Sequence, residues 1–226
     1  MIDYDFIGDE KEILRYLGAG NNSGEDIKKE LYKIREELKD IVRFRFIYDI
    51  FDIEIKEDGV LLKDCGTILK GEDIKSHLKE SNKCVIMGAT LGVEVDKKIN
   101  YYQKVDMFKA LIMNAVATAF IEEGCGFIEK LIKKEYCSQS GDITWRYSPG
   151  YGDLGLDIQK DLLNLIDAFK NIGISSSEGN MLTPKKSVTA IIGIIQKGTK
   201  IKKRDCQSCS SYGNCPYRRI GESCEG

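Results

Sequence analysis

Arg146-Tyr147-Ser148-Pro149-Gly150-Tyr151-Gly152 brings three kinds of binding chemistry into one short stretch. Arg146 offers a rigid fork of donors that matches a carboxylate. Pro149-Gly150 shapes a turn and lets backbone come close to a ligand. Tyr151 adds a flat apolar face with a polar tip. Such a loop can hold an amino-acid carboxylate beside an adenine or ribose group. The structural alternative is that Arg146 pairs with a nearby acid such as Asp153 while Tyr151 packs on the core.

A second constellation closes the chain. Cys206, Cys209, Cys215 and Cys224 are separated by two, five and eight residues. Four thiols this close can ligate a tetrahedral zinc or an iron–sulfur cluster, although the spacing matches neither a standard zinc finger nor a standard ferredoxin. A reduced tail, or one whose thiols exchange with disulfides, is the alternative. The other cysteines carry less information. Cys84 falls in an apolar strand-like run and Cys125 in a helical one, and both read as small core residues. Cys65 and Cys137 are ambiguous.

The elements that position these groups follow from periodicity. Ile13, Leu14 and Leu17 begin a short helix. Ser23 and Asp26 stand at capping-box spacing before Ile27, Leu31, Ile34, Leu38 and Ile41, which share one helical face. The period then changes to two. Val42, Phe44, Phe46 and Tyr48, then Phe51, Ile53 and Ile55, alternate with mostly polar residues as half-buried strands do. Glu57-Asp58-Gly59 marks a turn, and Val60-Leu61-Leu62 returns. A short helix fits Glu72 to Lys79. Cys84 to Gly88 reads as a buried strand with a loop from Gly88 to Gly92. Asp106 to Lys133 reads as a long central helix, apolar nearly all round to Ile121 and open to a bend at Gly124 or Gly126. After the arginine loop, Ile158 to Ile172 reads as one helix capped by Gly173, and Ser187 to Ile195 as a final strand. These elements predict an α+β fold: a mostly antiparallel twisted sheet, a long central helix, flanking helices and a short cysteine-rich C-terminal tail. The composition shift near Gly198 divides the chain into a domain over 1–198 and a tail over 199–226.

Composition excludes several classes. Lys and Arg (34) nearly balance Asp and Glu (36), for a net charge of −2, so no global field favours nucleic acid. The one basic run, Lys197 to Arg204, reads as a solvated linker. The acidic N-terminus lacks a signal-peptide pattern. The longest apolar stretch, Met107 to Ile121, is shorter than the roughly 20 residues of a membrane span. A cytoplasmic protein with reduced thiols is expected.

The arginine loop, the helix after it and the run Ile174 to Ile194 together resemble the reactivation domain of cobalamin-dependent methionine synthase. That family carries an Arg-x-x-x-Gly-Tyr motif, met here by Arg146, Gly150 and Tyr151, and a Ser-Val-Ser type strand, met by Ser187-Val188-Thr189. The similarity runs from about Asp106 to Ile195, and Gly8 to Gly18 looks like the free-standing members. The resemblance implies S-adenosylmethionine (AdoMet) binding, with Arg146 on the methionine carboxylate and Ser148, Gly150 and Tyr151 lining the site. The family's helix acid aligns at Thr118, with Glu122 one turn later as the substitute. The acid before the Arg aligns near Ser140, close to Asp142. The resemblance further implies reductive methylation of cobalamin held by a partner methyltransferase, with an electron donor. His77, the only histidine, lies in no corrinoid-binding pattern and reads as a helix-surface residue. Two other roles remain open: an iron–sulfur redox activator that no longer binds AdoMet, and a non-catalytic subunit that caps a cobalamin domain.

Overall fold

The computed structural model describes residues 4–18, 24–137 and 141–195, together with Gly213. Its centre is a six-stranded sheet, antiparallel at every pairing. The strands are β1 (Arg45–Ile55), β2 (Val60–Leu62), β3 (Ile68–Leu69), β4 (Ser81–Thr90), β5 (Asp142–Ile143) and β8 (Ser187–Ile195), in the order β3-β2-β1-β4-β8-β5. A separate pair, β6 (Ser175–Ser176) and β7 (Leu182–Thr183), forms a small hairpin.

Both faces of the sheet are covered, because side chains of neighbouring residues in a strand point to opposite faces. Val85, Met87 and Ala89 of β4, with Ala190, Ile192 and Ile194 of β8, join a core formed with α1 (Glu10–Tyr16), α2 (Glu25–Ile41), α4 (Val93–Val105) and α5 (Met107–Tyr136). The intervening Cys84, Ile86 and Ile191 join a second core with α3 (Glu72–Leu78), α6 (Gln159–Leu165) and α7 (Ala168–Ile172). The architecture is therefore α+β with a long central helix, as the sequence predicts.

Capping and burial explain the first helical layer. Asp106 caps α5 by accepting from the Lys109 amide at 3.1 Å, and Asp9 caps α1 through the Glu12 amide at 3.0 Å. The apolar stripe of α2 buries Leu31, Ile34 and Leu38 against α5. By length and composition α5 could cross a membrane, but its apolar residues, Ile112, Val116, Phe120 and Ile128 among them, are spent on the core. Gly124 does not break it. A side chain there would meet the Phe44 ring at 2.6 Å, so the glycine serves close helix–sheet approach.

The structure corrects several expectations. The alternating segment is one strand, β1, and β4 continues through Gly88 to Thr90 rather than turning into a loop. Helix α4 was not anticipated. The helix expected over 158–172 is three pieces: a 3-10 turn at Leu156–Ile158, α6 and α7. Asp167, in the left-handed region at φ 46°, separates the last two, while Gly173 caps α7 as expected. His77 is not on the surface. It is buried in α3, with Nε2 2.8 Å from the Thr144 hydroxyl and its ring against Trp145 and Tyr147. Burial pushes its pKa down to about 4, with the Trp145 backbone opposing in part. The basic run, the 198/199 boundary and the four tail cysteines lie outside the described residues.

Candidate functional site

The arginine loop is the end of the sheet edge. Residues 142–147 run along β8: Ile143 pairs with Ile194, the Thr144 amide donates to the Gly193 carbonyl, and Tyr147 exchanges two backbone bonds with Ile191 at 2.9 and 2.8 Å. The side-chain alternation of such a strand fixes the rest. Tyr147 faces the α3–α6 core, and Arg146 before it faces α5.

There Arg146 meets two carboxylates of α5. Its Nη2 lies 2.7 Å from Glu122 Oε2 and its Nε 3.2 Å from Glu129 Oε1. The acids are seven residues apart, which puts them two turns apart on one face of the helix. Cys125 lies between them, a buried free thiol whose pKa burial raises to about 12. Burial works against the Arg146 charge, but the carboxylates of Glu122 and Glu129 outweigh it and hold the guanidinium more firmly protonated than usual. Burial also raises the pKa of Glu129, against the pull of Arg146.

The turn that follows is tied down locally. The Tyr151 amide donates to the Ser148 carbonyl at 3.1 Å and the Gly150 amide to the Leu154 carbonyl at 2.8 Å. Gly150 and Gly152 have φ of 90° and 51°, where a side chain would strain the backbone. The Tyr147 hydroxyl donates to the Tyr151 carbonyl at 3.1 Å. Tyr151 does not pack on the core: it is 47% exposed, with one ring edge toward Tyr147. Nor does Asp153 pair with Arg146. Its carboxylate accepts from the Glu72 and Asp73 amides and so caps α3.

One further cation faces α5. Lys186, directly before β8, places Nζ 2.7 Å from Thr118 Oγ1 and 3.1 Å from the Asn114 carbonyl. Thr118 precedes Glu122 by four residues, so Lys186 and Arg146 rest on successive turns of one helix face. Burial lowers the Lys186 pKa to about 8, with Asp96 opposing weakly. Sequence reasoning missed Lys186 and Glu129. The available signals were an acid seven residues beyond Glu122 in an apolar helix and a lysine directly before an apolar strand.

Between these cations lies open strand edge. Ile191 directs its backbone groups toward Tyr147, so by alternation Thr189 and Ser187 direct theirs to the same edge. The chain has turned away by then, and no strand covers that edge among the described residues. Arg146 and Lys186 lie on the α5 side of this edge, and Tyr151 follows in the turn beside Tyr147. Such a surface suits a ligand with a carboxylate, a polar ring edge and an aromatic face.

Comparison with protein-family models and with curated proteins gives no match. Among solved structures, the MetH reactivation domain bound to AdoHcy superposes with a TM-score of 0.62 over 96% of this chain and 78% of that one, at 14% identity. The fold is that of this reactivation domain. The structure brings Arg146 and Glu122 together at α5, and Ser148, Gly150 and Tyr151 form the turn that follows Arg146. Cys206, Cys209, Cys215 and Cys224 lie outside the described residues, and among the described residues no group of His, Cys, Asp and Glu could hold a metal ion. Cys84 and Cys125 are buried free thiols.

Proposed function

We propose that this chain is a cytoplasmic AdoMet-binding accessory protein that supports reductive methylation of cobalamin held by a partner methyltransferase. The observation that carries this reading is Arg146, fixed on the edge strand against α5 where the edge of β8 opens, in a fold shared with a domain whose structure holds AdoHcy. In this reading Arg146 anchors the amino-acid carboxylate, and Glu122 and Glu129 orient the guanidinium. Ser148 and Gly150 bring backbone to the ligand, and Tyr151 offers its ring face. The chain's own contribution is positioning, holding a methyl donor toward a partner's corrin, while the cobalamin supplies the cobalt-centred methyl transfer.

Calorimetry with AdoMet tests the reading. Wild type should bind, and Arg146→Ala should weaken binding by about 1.5–3 kcal/mol, the worth of a charge-assisted hydrogen bond. Equal affinities would count against the assignment. One observation favours a second reading: Arg146 already has two carboxylate partners, as a purely structural arginine would. In that case the tail over 199–226 would carry an iron–sulfur cluster or zinc on Cys206, Cys209, Cys215 and Cys224, delivering electrons or shaping a docking element. Anaerobic purification with metal and sulfide analysis decides the tail's part. A colourless, metal-free, folded protein would rule it out.

A further inference from the structure

We propose that Lys186 sets which charge state of the ligand the site accepts: the sulfonium of AdoMet enters as Lys186 gives up its proton, whereas the neutral thioether AdoHcy enters with Lys186 charged. The inference rests on the AdoMet reading of the site and adds a specificity-determining residue to it.

The argument is geometric first. With the ligand carboxylate on Arg146, its sulfur lies four bonds away, about 5 Å. That is close to one helical turn, 5.4 Å. Along the edge of β8 one direction is open to a ligand. Toward Ile194 and Ile195 the edge of β8 is filled by β5, while toward Thr189 and Ser187 it is open. The open direction leads to Lys186, whose Nζ sits on Thr118, one turn of α5 before the Glu122 that holds Arg146.

The surroundings leave the Lys186 charge uncompensated. From α5 it meets only the Thr118 hydroxyl and the Asn114 carbonyl, with Glu122 a turn away and engaged by Arg146. From α4 the nearest acid is Asp96, whose Oδ2 accepts from the Lys185 amide at 2.6 Å. From β4 there is the Thr90 hydroxyl, which accepts from Ser187. No carboxylate forms an ion pair with Lys186 among the described residues. A second fixed cation beside a half-buried ammonium is costly, and with a pKa of about 8 Lys186 can relieve that cost by losing its proton to solvent.

The test is calorimetry of the full chain with AdoMet and AdoHcy at pH 7.5, in buffers of different ionisation enthalpy, which counts protons exchanged. The carboxylate and amine are common to both ligands, so the comparison isolates the sulfur. From a pKa of about 8, AdoMet should release up to about three quarters of a proton more through Lys186 than AdoHcy does. Lys186→Met should remove that excess and tighten AdoMet about tenfold at pH 6.5, with AdoHcy changed less than about threefold, as expected when one like-charge contact is removed. Retained AdoHcy binding shows that the variant is folded, and Lys186→Gln should behave alike. An AdoMet excess that survives the substitution overturns the inference while leaving the AdoMet site standing. Binding of neither ligand by wild type overturns both.

Discussion

Lowering the pH from 7 to 4.5 should destabilise this fold by a separable amount through His77. Its ring is buried between α3 and the strand that carries Arg146, with Nε2 on Thr144. Burial lowers its pKa from 6.5 to about 4. Between these values the unfolded chain holds a proton on His77 that the folded chain does not, so unfolding takes up a proton and acid favours it. The contribution is complete above pH 6.5 and is lost as pH falls toward 4. At pH 4.5 the loss is about 2–3 kcal/mol, since each pKa unit is worth about 1.4 kcal/mol. Carboxylates also titrate in this range, so the measurement is a comparison of urea denaturation midpoints for wild type and His77→Gln. The variant should be less stable at pH 7, because it loses the Thr144 contact, and the gap should narrow by about 2–3 kcal/mol at pH 4.5. A gap that stays constant across this range would refute a buried neutral imidazole.

Two further substitutions probe close approach. Gly124→Ala puts a methyl 2.6 Å from the Phe44 ring, and overpacking should lower stability by about 1–3 kcal/mol, read as a reduced thermal midpoint, although alanine is the better helix former. Gly152→Ala combines a φ of 51° with a clash against Asp73 and the Tyr147 hydroxyl. It should weaken AdoMet binding at least tenfold while shifting the thermal midpoint only slightly, because the turn is exposed and local. Unchanged affinity would show that the turn does not shape the site.

Legibility in the sequence followed the strength of the period. Helix α2 and strand β8 showed plainly, because Leu31, Ile34 and Leu38 keep a helical spacing and Ser187 to Ile195 is a bounded apolar run. Helix α4 did not, because only Val95 and Ile99 are buried in it and lysines and tyrosines hide that narrow stripe. The break at Asp167 was invisible for the opposite reason. Phe169 continued the apolar pattern in sequence, yet the left-handed residue turns it out into solvent. His77 reads as a helix-surface residue when judged only by its lack of a corrinoid-binding pattern. Its spacing from Ile74, three residues before it on the same buried face, was the better guide. The loop chemistry of Arg146 to Gly152 was legible residue by residue. What surrounds it was not, because Glu129 and Lys186 reach the site across the chain, where local patterns carry no information.

The charges at the site make sense only as a set. Along one stripe of α5, Arg146 meets the carboxylates Glu122 and Glu129, and Lys186 meets the Thr118 hydroxyl a turn earlier. A half-buried cluster of this kind is stable when its charges balance, since each uncompensated charge out of water is costly. If the site takes these ligands as proposed, AdoHcy, a zwitterion without a charge on sulfur, would leave the balance untouched. AdoMet adds one positive charge, and the group that can restore neutrality with least cost is the one already closest to losing its proton. Arg146 cannot serve, because guanidinium does not deprotonate in proteins and two acids hold it charged. Lys186 can, because it has no acid partner and burial already disfavours its charge. The same residue pair therefore divides two tasks. On the proposed reading, Arg146 would fix where the ligand's carboxylate sits whatever the sulfur carries, and Lys186 would make the sulfur's charge matter.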